Sequence, residues 1–145
     1  MSNPAITVES IGAMLADTAP GYPQALAIEP LEIDDERSIG ALTVTDIHLH
    51  PGKLVHGGVW TGLGDTVAAW QTFRHLPAGA NFTTIELKLN AFAGAGLGDR
   101  LTATARHLHR GRSTHVIEVR IERGPKLAAN LIVTQFVIAA PGGPA

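Results

Sequence analysis

The residues most able to do chemistry lie in one short run, His56-Gly57-Gly58 followed by Asp65. The glycines open a helical segment, where bare backbone N–H groups can come close to a ligand oxygen. Asp65 follows on a stretch, residues 57–70, that is otherwise apolar except at Thr61 and Thr66. A carboxylate in apolar surroundings is costly and calls for a partner or a task. The pair fits a site that holds a carbonyl oxygen and attacks, or helps water attack, the carbonyl carbon. The Gly57 N–H, backed by the helix dipole, would stabilise the oxyanion. Asp65 would be a general base for water, or a nucleophile giving a mixed anhydride. His56 would fix the loop and helix start, and His50 can contact the same carbonyl. No serine or cysteine nucleophile with a partnered histidine is evident, which argues against a Ser-His-Asp hydrolase.

Spacing adds a condition. In a helix, Asp65 lies on nearly the same face as Gly58, ~10 Å further along the axis, and ~12 Å from Gly57. Reacting atoms must approach to within ~3.5 Å. One chain therefore cannot bring both groups to one carbonyl. A second copy of the helix running antiparallel would set the Gly57 N–H of one chain against Asp65 of the other, and a two-fold dimer supplies that arrangement twice.

The elements that must position these residues follow from periodicity. Thr7–Asp17 reads as a short helix with Thr7 or Ser10 as N-cap, ended by Pro20-Gly21-Tyr22-Pro23. Ala25–Ile33 and Ser38–Thr45 are β-prone, with Asp34-Asp35-Glu36-Arg37 as a hairpin turn. Residues 46–56 form a loop. Gly57–Phe73 is the longest helix, with Val59, Leu63, Val67 and Trp70 at 3.6-residue spacing, stopped by Leu76-Pro77-Ala78-Gly79. Four strands follow: Thr83–Phe92, alternating at Ile85, Leu87 and Leu89, then Leu101–Leu108, His115–Ile121 and Leu127–Ile138. The order predicts an α+β domain, an antiparallel sheet wrapped around one long central helix. Residues 1–145 are expected to form a single domain, with a tail frayed from about 140 through Pro141-Gly142-Gly143-Pro144.

Composition narrows the partners. The 145 residues are 45% hydrophobic and 17% charged, with a net charge of -2 and no basic block, which disfavours nucleic acid and anionic membranes. There is no cysteine, so disulfides and thiolate chemistry are excluded. No apolar run reaches membrane-spanning length, and the expected location is the cytoplasm. His48-x-His50 and His107-x-His109 each place two imidazoles on one face of an extended segment, but no third ligand has matching spacing, so no metal is expected.

The run His56-Gly57-Gly58…Asp65 resembles the His-Gly-Gly…Asp/Glu motif of hotdog-fold acyl-CoA thioesterases, of the phenylacetyl-CoA and 4-hydroxybenzoyl-CoA types. Thr84-Ile85-Glu86-Leu87-Lys88-Leu89-Asn90, Leu101-Thr102-Ala103-Thr104-Ala105 and Gly111-Arg112 resemble later parts of the same family, so that roughly residues 25–139 are covered. The resemblance implies a hotdog fold, dimers often paired into tetramers, and active sites at the dimer interface. It implies hydrolysis of an acyl-CoA to free acid and CoA with no cofactor. By position, Gly57 corresponds to the oxyanion donor and Asp65 to the catalytic carboxylate. Thr84 corresponds to a hydroxyl near the reacting carbonyl. Gly58 belongs to the substrate-facing helix start, and Arg112 and Ser113 become candidates for the CoA phosphates. Two places depart from the family. His50 stands where relatives carry Asn or Gln. After Asn90, a longer uncharged run, Ala91 to Gly98, replaces an aromatic residue and Arg-Pro.

Two other functions fit the same pattern less well. An acyl-thioester hydratase or dehydratase would pair His56 with Asp65, although the motifs of such enzymes are not matched. A non-catalytic dimeric acyl-CoA-binding module would share the fold. Trp60 and Trp70 are expected in the core or a dimer interface, and Trp60, Phe73 and Phe92 are candidates to line an acyl pocket.

Overall fold

The computed structural model describes residues 3–17 and 21–142. One 18-residue helix, α3 (Gly57–Arg74), is the axis of the molecule. Before it come α1 (Val8–Asp17), a short helical turn α2 (Tyr22–Ala25), and strands β1 (Glu29–Ile33) and β2 (Ser38–Thr43). After it come β3 (Asn81–Ala91), β4 (Arg100–Arg110), β5 (Thr114–Arg123) and β6 (Lys126–Ile138). The strands form one antiparallel sheet in the order β1-β2-β4-β5-β6-β3.

Two-residue periodicity sends one face of the sheet toward α3. Leu101, Ala103 and Ala105 on β4, Ile117, Val119 and Ile121 on β5, and Leu131 and Val133 on β6 are fully buried. Val59, Trp60, Leu63, Val67, Ala68 and Trp70 of α3 meet them. Small residues set how closely the layers approach. A Cβ at Gly64 would lie 2.5 Å from Leu131 Cδ2, and one at Gly40 would lie 2.7 Å from Trp70 Cζ3, so a side chain at either place would force Leu131 or Trp70 to shift.

The described residues carry the expected α+β hotdog architecture, with corrections at its edges. The strand expected over Ala25–Ile33 begins only at Glu29. Pro23 starts the α2 turn, and Ala27 takes a left-handed φ of 54°, which breaks the extended path. β1 is an edge strand, and its register shifts between Pro30 and Glu32, where the missing proline N–H is tolerated. Thr7, rather than Ser10, caps α1: Ser10 N–H donates to Thr7 Oγ1 at 3.2 Å, and Thr7 N–H returns to Ser10 Oγ at 2.9 Å. The loop at 46–56 contains a single 3-10 turn, Asp46–His48. Pro20 of the expected helix stop, and Gly143 and Pro144 of the expected frayed tail, lie outside the described residues.

Candidate active site

His56 caps α3. Its Nδ1 accepts from Gly58 N–H at 2.8 Å, which places the ring proton on Nε2 and commits the Gly58 N–H locally. Gly57 is exposed, and its N–H has no hydrogen bond within the described residues, as the first turn of a helix leaves it. A Cβ added at Gly57 would meet nothing within 4 Å, so packing within the protomer does not require glycine there. His50 is tied in the same way, its Nδ1 accepting from Gly52 N–H at 2.9 Å. His50 and Gly57 line one cleft of about 370 Å³, together with Trp60, Leu89 and Phe92. The uncharged run after Asn90 forms part of its wall through Ala91, Ala93 and Gly94.

Asp65 belongs to a different cleft, of about 320 Å³, with Thr66, Ala69, Trp70 and Phe73 of α3 on one side and residues of α1 and α2 on the other. Its carboxylate is half-buried and held from the sheet: Thr84 Oγ1–H donates to Asp65 Oδ1 at 2.8 Å. Behind Thr84 stands Gln135, fully buried on the inner face of β6. Gln135 Nε2–H donates to Thr84 Oγ1 at 3.3 Å, and Thr72 Oγ1–H donates to Gln135 Oε1. The direction of these bonds is fixed by chemistry. An amide nitrogen can only donate, so Thr84 must accept from Gln135 and pass its own proton toward Asp65. One carboxylate oxygen is thereby occupied.

A β-bulge makes this possible. The register between β3 and β6 shifts between Thr84 and Glu86, and Ile85 is the extra residue. The alternation in the sequence reads Ile85 as inward. The bulge instead leaves Ile85 57% exposed and places Thr84 against Asp65.

Thr84 and Asp65 are therefore brought together, as are His50 and Gly57, but the two pairs occupy separate clefts. Arg112 and Ser113 lie on the turn between β4 and β5. Arg112 lines a third cleft with His75, Arg110 and His115. Trp60 and Trp70 are buried, as expected for core residues, while Phe73 lines the Asp65 cleft and Phe92 the Gly57 cleft. Gln135 was not legible as a site residue. Its only trace in the sequence is a polar residue in phase with Leu131 and Val133 on a strand whose inner face is otherwise apolar.

A second polar cluster lies beneath the C-terminal end of α3. Arg110 Nη1 donates to His75 Nδ1 at 2.5 Å, and His75 Nε2–H donates to the Asp35 carbonyl at 3.0 Å. His107 Nε2 and His115 Nδ1 share one proton over 3.1 Å, and the His107 ring stands edge-on to both His75 and His115. Burial, reinforced by His115, His75 and Arg110, pushes His107 down to about 3. Burial, with His75, Arg110 and His109 nearby, pushes His115 down to about 4.

Residues 52–129 match the thioesterase superfamily. The chain is 34% identical over 99 residues to the acyl-coenzyme A thioesterase PaaI of Escherichia coli K12, covering 68% of each. The solved structure of the E. coli PaaI protein from the phenylacetic acid degradation operon superposes with a TM-score of 0.80 at 26% identity, over 91% of this chain and 93% of that one. A mutant thioesterase PA1618 from Pseudomonas aeruginosa shares the fold, with a TM-score of 0.83 at 24% identity over 90% and 93% of the two chains.

Proposed function

This chain belongs to the thioesterase superfamily, and from that premise we propose that it hydrolyses an acyl-CoA thioester to the free acid and CoA at a site shared by two protomers. Asp65 of one protomer and Gly57 of the other face a single thioester. The observation that carries this reading is the separation of the two groups: Asp65 lines one cleft, Gly57 lines another, and both are open to approach. Among the described residues, the outer edge of β3 has no partner strand. Pairing β3 with a second β3 around a two-fold axis would extend the sheet and set the two α3 helices antiparallel.

In this arrangement the Gly57 N–H, at the positive end of the helix dipole, receives the thioester oxygen as it becomes an oxyanion. His50, with its proton on Nε2, offers a second donor in the same cleft. His56 acts by holding the helix start, and Gly58 leaves the substrate side of that turn without a side chain. Asp65, with Oδ1 occupied by Thr84, uses its other oxygen. As general base it takes a proton from water, the hydroxyl oxygen bonds to the acyl carbon, the C–S bond breaks, and the proton returns to the CoA sulfur. As nucleophile it would form an anhydride that water then opens. Single turnover in ¹⁸O-water tests the second route: direct attack of water on the thioester labels only the released acid, so label in the Asp65 carboxylate requires an anhydride opened at the aspartyl carbonyl. Arg112 and Ser113 are assigned to the CoA phosphates.

The test is thiol release from a panel of aryl- and alkyl-CoA substrates by wild type and Asp65→Asn. Turnover in wild type and its loss in the variant, with substrate binding retained, supports the reading. No thiol release from any substrate, or release unaffected by Asp65→Asn, overturns it.

A further inference from the structure

Two adjacent glycines leave the start of α3 without side chains to restrain its peptide planes. The structure restrains that turn from outside. Thr61 Oγ1–H donates to the Gly57 carbonyl at 3.1 Å, and Tyr22 Oη–H donates to the Gly58 carbonyl at 3.3 Å. With His56 Nδ1 accepting from Gly58 N–H, the second glycine is held at both its N–H and its carbonyl. Thr61 and His56 are neighbours in sequence, whereas Tyr22 reaches in from α2, 36 residues away.

The approach of Tyr22 is prepared on both sides. Its ring lies on α3 at Gly62. A Cβ there would stand 2.8 Å from Tyr22 Cε1, 3.0 Å from Tyr22 Oη and 2.7 Å from Leu26 Cδ1. Glycine is a poor residue for a helix interior, and here its bare Cα lets α2 come close enough for the hydroxyl to reach Gly58. A buried histidine fixes α2 in turn. His48 Nε2–H donates at 2.9 Å to the carbonyl of Leu26, the residue that closes α2, and His48 Nδ1 accepts from Thr45 N–H at 2.8 Å. The His48 carbonyl accepts from His56 N–H at 2.9 Å. His48, 1% exposed, therefore holds both the turn that carries Tyr22 and the residue whose peptide bears the Gly57 N–H.

We propose that Tyr22 is a positioning residue for the oxyanion donor: its hydroxyl, held by α2 and His48, keeps the Gly57–Gly58 turn in the orientation that aims the Gly57 N–H at the thioester oxygen. The role rests on the thioesterase reading for the identity of that oxygen. An oxyanion donor works by being oriented before the charge develops, so a donor free to swing loses part of its effect while its helix stays intact. The phenol bond is exposed and 3.3 Å long, so its loss is that of one ordinary hydrogen bond, on the order of two- to tenfold.

Tyr22→Phe deletes the hydroxyl and keeps the ring on Gly62. Calorimetry on wild type and variant reads Kd for two CoA compounds that cannot be hydrolysed. One is the hexyl thioether of CoA, which has no carbonyl. The other is the ketone in which a methylene replaces the sulfur of hexanoyl-CoA. Thiol release gives kcat and KM for the acyl-CoA that is turned over fastest, and amide ¹⁵N relaxation gives order parameters at Gly57 and Gly58 in the free protein. Tyr22→Phe should weaken the ketone about threefold to tenfold and leave the thioether within about twofold. In the same variant kcat should fall about fivefold with KM within about twofold. Equal weakening of ketone and thioether would make Tyr22 a wall of the site, and no weakening of either would leave it without a part in catalysis; each overturns the proposal. If wild type hydrolyses no acyl-CoA, the thioesterase reading fails separately, and the order parameters decide whether Tyr22 holds the turn. Lower values at Gly57 and Gly58, with residues from Leu63 onward unchanged, support it, and unchanged values reject it.

Discussion

Two polar clusters hang from the same helix and are built for opposite ends. At Asp65 the carboxylate is half-buried, bonded on one oxygen by Thr84, and open to a cleft. Two to three turns later, at His75, the imidazoles of His75 and His115 are buried, and His75 has both nitrogens engaged. The two clusters are close neighbours across the sheet, since Gln135 of the first pairs in register with His115 of the second. Among the described residues, the large displacements of a titratable group fall on His107 and His115, which lie outside the candidate active site. Perturbed ionisation is often a guide to catalysis, but ion and histidine clusters that serve structure produce it as well. What distinguishes the candidate site is the combination of a carboxylate with one oxygen bound and the other unclaimed among the described residues, beside space for a substrate.

That contrast can be broken most sharply at Asp65. Asp65→Asn removes the proton acceptor while keeping the shape, and kcat should fall by about 10²–10⁴ with stability nearly unchanged. Thiol release and a thermal melt on the same preparation check both halves. A smaller loss is expected at Gln135→Leu. Thr84 would then be free to turn away from Asp65, and kcat should fall roughly tenfold, while the unpartnered Thr72 and Thr84 hydroxyls cost about 1–3 kcal/mol in chemical denaturation. A drop in stability with kcat intact would separate Gln135 from the site.

The histidine cluster should respond to acid instead. Both folded-state values lie below the ordinary histidine value of about 6.5, so as pH falls from there the unfolded chain binds protons that the folded chain refuses. Stability is therefore full above about pH 6.5 and is lost progressively toward pH 4 and below, by roughly a few kcal/mol for the pair. Denaturant titrations across that range should show the slope in wild type and a flatter curve in the His107→Gln/His115→Gln variant, whose kcat at neutral pH stays within about threefold. A large loss of turnover in that variant would erase the distinction between the clusters. The smallest effect belongs to the surface: Arg100→Ala, which removes an exposed pair with Glu29 at 2.8 Å, should cost under about 1 kcal/mol and leave thiol release unchanged.

Local patterning made much of this structure readable. The apolar spacing of Val59, Leu63, Val67 and Trp70 marks α3 almost to its last residue, and the alternation from Leu101 onward marks β4 to β6. Helix geometry alone already separates Gly57 from Asp65. The remainder depends on contacts between distant parts of the chain. Alternation cannot show that Ile85 is a bulge, because that depends on how β3 registers with β6. Gln135 acquires its place only when β6 lies beside β3 and beneath Thr72. The α2 turn is too short to have a period, and the histidine cluster gathers residues from the C-cap of α3, from β4 and from β5 whose spacing in sequence carries no common signal.

The central claim is that one active site draws Asp65 from one protomer and Gly57 from the other, and mixed dimers test it directly. Asp65→Asn and Gly57→Val are each expected to be inactive alone, the second because a β-branched side chain blocks approach to the helix start. Unfolded together and refolded at equal amounts, half of the dimers combine one of each. In each of those, one site has an intact Gly57 facing an intact Asp65. Thiol release should return to about a quarter of the wild-type value. Mixed dimers that form but stay as inactive as the two parents would contradict the shared site.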